Sequence, residues 1–234
     1  MELAATIILS LEHKFIFLRT KKTAGTSIEL ALSDLCGPDD VITPLTREDE
    51  ARRAGRRGAQ NWRLHSWWKS PRLLKSAWFK FSAKDYGFYN HMKAEEMRAH
   101  IDPAIWRSYF KFAFERNPWH RQVSLYYHRY REESDRPNFA TFIHKDKKAH
   151  INNFGVYSID GNLPVDFLGR FETLEKDLRF ALEHVGLSTA EALPDAKTRF
   201  RPGSVPYRDH YDDDTRNIVA DWYAQEIKLL GYEF

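Results

Sequence analysis

The chain has 234 residues, of which 42% are hydrophobic and 29% charged, the size and composition of one soluble, core-forming domain. No apolar run approaches the ~18 residues of a membrane span, and the single cysteine, Cys36, excludes an internal disulfide and a Cys-cluster metal site. The net charge of +3 conceals a local excess: residues 51 to 80 carry nine Lys and Arg and no acid, so the other 27 Lys and Arg against 33 Asp and Glu leave the remaining 204 residues at −6.

The opening MELAATIILSLEHKF lacks the basic flank and length of a signal peptide, which points to a reducing, cytoplasmic setting. Thr6 to Leu9 reads as a strand pairing beside a second strand, Lys14 to Leu18. Helical spacing begins at Thr26, with Ile28, Leu30, Ala31 and Leu32, and ends at Gly37-Pro38. Residues 38 to 85 read as an irregular insert that carries the basic patch and Trp62, Trp67, Trp68 and Trp78. A short helix is expected from Ala94 to Ile101, and Tyr109 to Phe114 alternates as a strand. Pro118 then starts a helix running to about Arg131. Val165 to Leu168 reads as a further strand, Leu174 to Val185 as an amphipathic helix closed by Gly186, and Asp213 to Leu230 as the last helix. Strands alternating with helices predict an α/β fold: a single P-loop-like domain over residues 1–234, with a central, mainly parallel sheet flanked by helices.

Two turns carry the chemistry. Phe17 to Ser27 is strand, then a loop of small and hydroxylated residues, then helix. Such a turn aims backbone N–H groups and a helix dipole at one point, where an anion fits. Ala24 and Gly25 allow close approach, Thr26 and Ser27 cap the helix or bond anion oxygens, and Lys22 supplies a point charge for a leaving oxygen. The lysine precedes the glycine, so the loop is not a Walker A motif. In the second block, Phe114-Glu115-Arg116-Asn117-Pro118, Arg116 ends a strand and Ser124 lies about two turns into the next helix. Taken singly, Arg116 reads first as the partner of an acid such as Glu115 or Glu172, and Ser124 as a packed small residue; their occurrence together with the first loop weakens both readings.

Both blocks resemble the signatures of the PAPS-dependent sulfotransferase family, in its carbohydrate-sulfotransferase-like branch with soluble bacterial members. Lys21 to Ser27 is similar to the Pro-Lys-Thr-Gly-Gly-Thr-Ser block that grips the 5′-phosphosulfate of 3′-phosphoadenosine 5′-phosphosulfate (PAPS), with Lys21 where proline is usual. Arg116-Asn117-Pro118 followed by Arg121-x-x-Ser124 is similar to the 3′-phosphate block. Asn90-His91-Met92, Gly169 to Leu174 and the ending Leu229 to Phe234 match more loosely.

The resemblance implies metal-independent, in-line transfer of a sulfonyl group from PAPS to a hydroxyl or amine of a carbohydrate or hydroxylated small molecule, leaving 3′-phosphoadenosine 5′-phosphate (PAP). It implies Lys22 at the bridging oxygen, with Thr23, Ala24, Gly25, Thr26 and Ser27 around the phosphosulfate, and Arg116 and Ser124 at the 3′-phosphate. A histidine suits the general base; of ten, His91 follows the family block and His65 among the tryptophans is second. Glu95 and Glu96 read more simply as the first turn of a helix. Arg201, beside Lys197 and Arg199 in a Pro-bounded loop, is a candidate for closing over the nucleotide, whereas Arg170 and Glu172 read as a structural pair. Two other classes compete: a nucleic-acid-binding protein using the basic Trp-rich segment, and a P-loop-type kinase requiring magnesium. Because that segment lies between the two proposed catalytic residues, Lys22 and His91, it reads as an acceptor-facing lid for an anionic substrate rather than a nucleic-acid surface.

Overall fold

The computed structural model describes residues 7–53, 55–63, 87–89, 92–187 and 205–234. In chain order the elements are β1 (Ile7–Ser10), β2 (Phe15–Leu18), α1 (Gly25–Leu35), β3 (Val41–Ile42), α2 (Arg47–Ala51), α3 (Ala94–His100), α4 (Pro103–Ser108), β4 (Phe110–Glu115), α5 (Pro118–Arg129), α6 (Phe139–Lys145), α7 (Phe154–Tyr157), β5 (Phe167–Arg170), α8 (Leu174–His184), α9 (Asp213–Trp222) and α10 (Ala224–Leu230). They fall into two compact units, residues 1–115 with 155–195 and residues 116–154 with 196–234. Among the described residues no helix is long and apolar enough to cross a membrane.

The first unit is built on one five-stranded sheet in the order β3-β1-β2-β4-β5. Its parallel part is β2-β4-β5, with Phe17 beside Phe112 and Ala113 beside Leu168. β1 runs antiparallel to β2, and β3 antiparallel to β1, so the sheet is mixed rather than mainly parallel. The connection explains this. Only Leu11 to Lys14 separate the two strands, Lys14 takes a left-handed φ of 56°, and a loop that short closes a hairpin. Asp40 holds that hairpin from below, accepting from Leu11 N at 2.6 Å, Ser10 Oγ at 2.8 Å and Gly37 N at 2.8 Å.

The central strands are buried on both faces, as continuous apolar runs require. On one face Phe15, Phe17, Phe112 and Phe114 pack against Ile28 and Leu32 of α1 and against Leu174, Leu178, Ala181 and Leu182 of α8. Each phenylalanine so buried contributes about 2–3 kcal/mol. On the other face Lys111 pairs with Asp166 at 2.8 Å beneath Trp106, and Tyr157 Oη donates to the fully buried Glu115 at 3.3 Å.

The expected insert is partly absorbed into this unit. Val41–Ile42 joins the sheet, Ile42 bridges to Gln60, and α2 carries the Thr46 cap, so residues 38–63 are not simply irregular. Phe88 N donates to Trp62 O at 2.7 Å and Gly87 sits against that carbonyl, which brings the two ends of the intervening segment together. Trp67, Trp68, Trp78 and His65 lie outside the described residues.

The second unit packs α5, α6, α9 and α10 around aromatic side chains. Tyr126 meets Phe139 and Phe142 at ring distances of 5.3 and 5.4 Å. Arg121, fully buried, lies 4.3 Å over the Tyr223 ring and 3.5 Å from Glu226. Tyr223 Oη accepts from Gln122 and from Ile151 N. The last helix expected from sequence is broken at Tyr223, whose φ of −122° and ψ of 26° separate α9 from α10.

Candidate functional site

In the first unit, β2 ends at Leu18 and the turn Arg19–Ala24 delivers the chain into α1. Lys22 and Ala24 both have left-handed backbones, with φ of 65° and 63°, and Thr23 between them does not. Two such residues within three strain the chain, at about 1 kcal/mol or more each. Alternation of this kind turns successive N–H groups toward one concavity. Ala24 is the N-cap of α1 and offers no side-chain bond to the helix, so the first helical N–H groups keep an open direction. No acidic side chain stands in the first turn.

The hydroxyls of this turn do structural work. Thr20 Oγ1 donates to Phe114 O and shares a 2.8 Å hydrogen bond with Thr23 Oγ1, and both threonines are buried. These bonds fasten the turn to the end of β4. Thr26 Oγ1 accepts from Arg19 Nη2 at 2.9 Å and donates to Asp49 of α2 at 3.3 Å. Thr26 and Ser27 do not cap the helix, contrary to the expectation, because α1 starts at Gly25 and both fall inside its first turn. Thr23, Ala24, Gly25 and Thr26 therefore offer an anion chiefly their backbone, whereas Ser27 N already donates to Ala24 O at 2.9 Å.

Arg19 is the residue sequence reading missed. Its Nη1 lies 2.5 Å from Glu29 Oε2, and its side chain crosses Gly25 so closely that a Cβ there would stand 2.3 Å from Nε. Gly25 is bare to admit Arg19, not only a ligand. Glu29 is fully buried. Burial pushes its carboxyl up from 4.5 to about 7, against the opposing pull of Arg19 and Arg53.

In the second unit, Arg116 precedes α5 and is 8% exposed. Here the helix start is closed: Asn117 Oδ1 accepts from Trp119 N at 3.1 Å and His120 N at 3.3 Å, Pro118 occupies the first turn, and Asn117 Nδ2 donates to Glu233 O at 2.8 Å. Arg116 Nη2 donates to His120 Nε2 at 2.6 Å, a partner unlike the acids considered from sequence. His120 stacks on Tyr207 with ring centres 5.2 Å apart. Ser124 follows His120 by four residues, on the same stripe of α5 and partly exposed. The i, i+4, i+8 spacing of Arg116, His120 and Ser124 was a signal in the sequence, and His120 was passed over.

The sulfotransferase family model matches residues 5–233. The chain belongs to the sulfotransferase family. An uncharacterised protein of Archaeoglobus fulgidus is 32% identical over 101 residues, which span 41% of this chain and 83% of that protein. Carbohydrate sulfotransferase 14 of Danio rerio is 28% identical over 185 residues, 63% of this chain and 49% of that protein, so the chain spans about half the length of the zebrafish relative. No solved structure matches closely enough to carry a comparison.

In this member of the sulfotransferase family, residues Lys22 to Ser27 lie in one unit, and Arg116 and Ser124 in the other. His91, Arg201 and the second-choice base His65 fall outside the described residues.

Proposed function

We propose that this protein transfers a sulfonyl group from PAPS to a hydroxyl or amine of a carbohydrate or hydroxylated small molecule. The observation that carries the reading is the turn before α1, with its two left-handed residues and its helix start without a side-chain cap. That donor set suits a phosphosulfate: oriented amides for the non-bridging oxygens, and a lysine at the turn for charge on the bridging one. Bound there, PAPS supplies an activated sulfonyl group on a phosphate leaving group.

The chain's own residues divide the work. Backbone N–H groups of residues 24 to 26 hold and orient the phosphosulfate end, Ser27 N being taken by Ala24 O at 2.9 Å, and Lys22 Nζ neutralises charge as the leaving oxygen develops. Arg116 and Ser124 hold the 3′-phosphate through side chains, because Asn117 already occupies the N–H groups of α5. His91 takes the acceptor's proton, histidine being the side chain suited to general-base work near neutral pH. The basic segment 51 to 80 selects an acceptor with negative charge, its tryptophans stacking on rings.

Binding of PAP and of adenosine 5′-phosphate, followed calorimetrically in excess chelator, tests the reading. PAP is expected to bind at least tenfold more tightly, as a charged hydrogen bond worth about 1.5–3 kcal/mol implies. Equal affinities remove the 3′-phosphate site, and binding that needs magnesium favours the kinase.

A further inference from the structure

We propose that His120 is the positioning residue that sets Arg116 for a 3′-phosphate, and so determines the preference for PAP over adenosine 5′-phosphate; this rests on the function proposed above. An arginine has no acceptor and stays protonated. The 2.6 Å contact therefore assigns the bond: Arg116 Nη2 donates, and His120 Nε2 accepts with its lone pair. The imidazole is held neutral in that bond, its proton on Nδ1.

The ring has little freedom to turn away. It lies nearly parallel to Tyr207, at an interplanar angle of 21°, and Tyr207 in turn meets Phe234 edge-on at 6.0 Å. His120 N is also tied to Asn117 Oδ1. The stack fixes the imidazole, and the imidazole constrains the rotation of the guanidinium and so the direction of its fork. Pre-set geometry of this kind raises affinity by reducing the ordering that binding must impose.

Among the described residues, the start of α5 leaves recognition at this end to side chains. The Asn117 cap takes the Trp119 and His120 N–H groups, so α5 does not present a bare N-terminus to a phosphate as α1 does. A 3′-phosphate must then be recognised by Arg116 and by the α5 stripe that carries His120 and Ser124. Losing the acceptor on residue 120 removes this constraint on the rotation of the Arg116 guanidinium.

The test is the ratio of PAP to adenosine 5′-phosphate affinity in the full chain, with His120→Leu, His120→Gln and Tyr207→Leu, each checked for an unchanged melting transition. His120→Leu is expected to lower the ratio about tenfold. His120→Gln, which keeps an acceptor, should restore most of it, and Tyr207→Leu should fall between. A merely structural histidine would change both affinities together and leave the ratio alone, which overturns the proposal. So does a wild-type ratio in His120→Leu; should that variant not fold, a Gln variant no different from Tyr207→Leu overturns it instead. A wild-type protein that prefers neither nucleotide refutes the function proposed above, and is distinguishable because it needs no variant.

Discussion

Replacing Glu29 by Gln should change how stability depends on pH more than stability at any one pH. Glu29 has no exposure, and burial lifts its carboxyl from 4.5 to about 7 in the fold. Between those values the native state holds a proton that the unfolded chain has released, so stability falls as pH rises through the window and levels off above about 7. The shift corresponds to about 3 kcal/mol at 1.36 kcal/mol per unit. Glutamine keeps an amide oxygen for Arg19 but cannot ionise, which removes the slope while leaving a constant offset. Urea unfolding followed by tryptophan fluorescence at pH 4.5, 5.5, 6.5 and 8 reads the difference directly. The variant should gain about 3 kcal/mol on the wild type across that range. Parallel profiles for the two proteins would show that Glu29 is ionised throughout and refute the reasoning.

Gly25→Ala places a Cβ 2.3 Å from Arg19 Nε and 2.7 Å from its Cγ, forcing Arg19 off Glu29 and Thr26. A loss of about 2 kcal/mol in urea unfolding is expected, despite alanine's better helix propensity, and unchanged stability would contradict it. Arg121→Met removes the guanidinium beside the buried Glu226 carboxyl and should cost about 3–5 kcal/mol, whereas Arg121→Met with Glu226→Leu should recover most of that in the same assay. Lys22→Ala should lower kcat at least about 100-fold while the PAP-induced melting shift largely persists; equal losses of both would make Lys22 a binding residue only.

The elements bearing the two blocks were legible because local and tertiary signals agree there. A buried apolar strand, a small-residue turn and an amphipathic helix mark β2-turn-α1, and Asn117-Pro118 after an alternating strand marks the start of α5. The α8 stop at Gly186, left-handed at φ 77°, follows the same rule. β3 was missed because two residues carry no periodicity; it exists through Ile42 N donating to Gln60 O and the Thr43 bond to Ile7 N. β5 falls two residues later than expected, because Asp166 is taken by Lys111 and Gly169 is needed beneath the Phe114 ring. The roles of Arg19 and His120 were hidden for a common reason. Each acts on a residue several positions away through a side-chain geometry that only the folded turn creates.

The contrast between the two helix starts has a consequence for how such a protein can change. At α1 the groups offered to a ligand belong chiefly to the main chain, and the side chains that matter there, Thr20, Thr23 and the bare Gly25, shape the turn rather than face the ligand, Lys22 apart. At α5 the Asn117 cap takes the first helical N–H groups, so under the proposed function recognition falls to side chains, Arg116, His120 and Ser124, where a single codon would alter what is read. Under the proposed function, a change at the first start would act through the shape of the turn, and a change at the second through the side chains that read the nucleotide's other end.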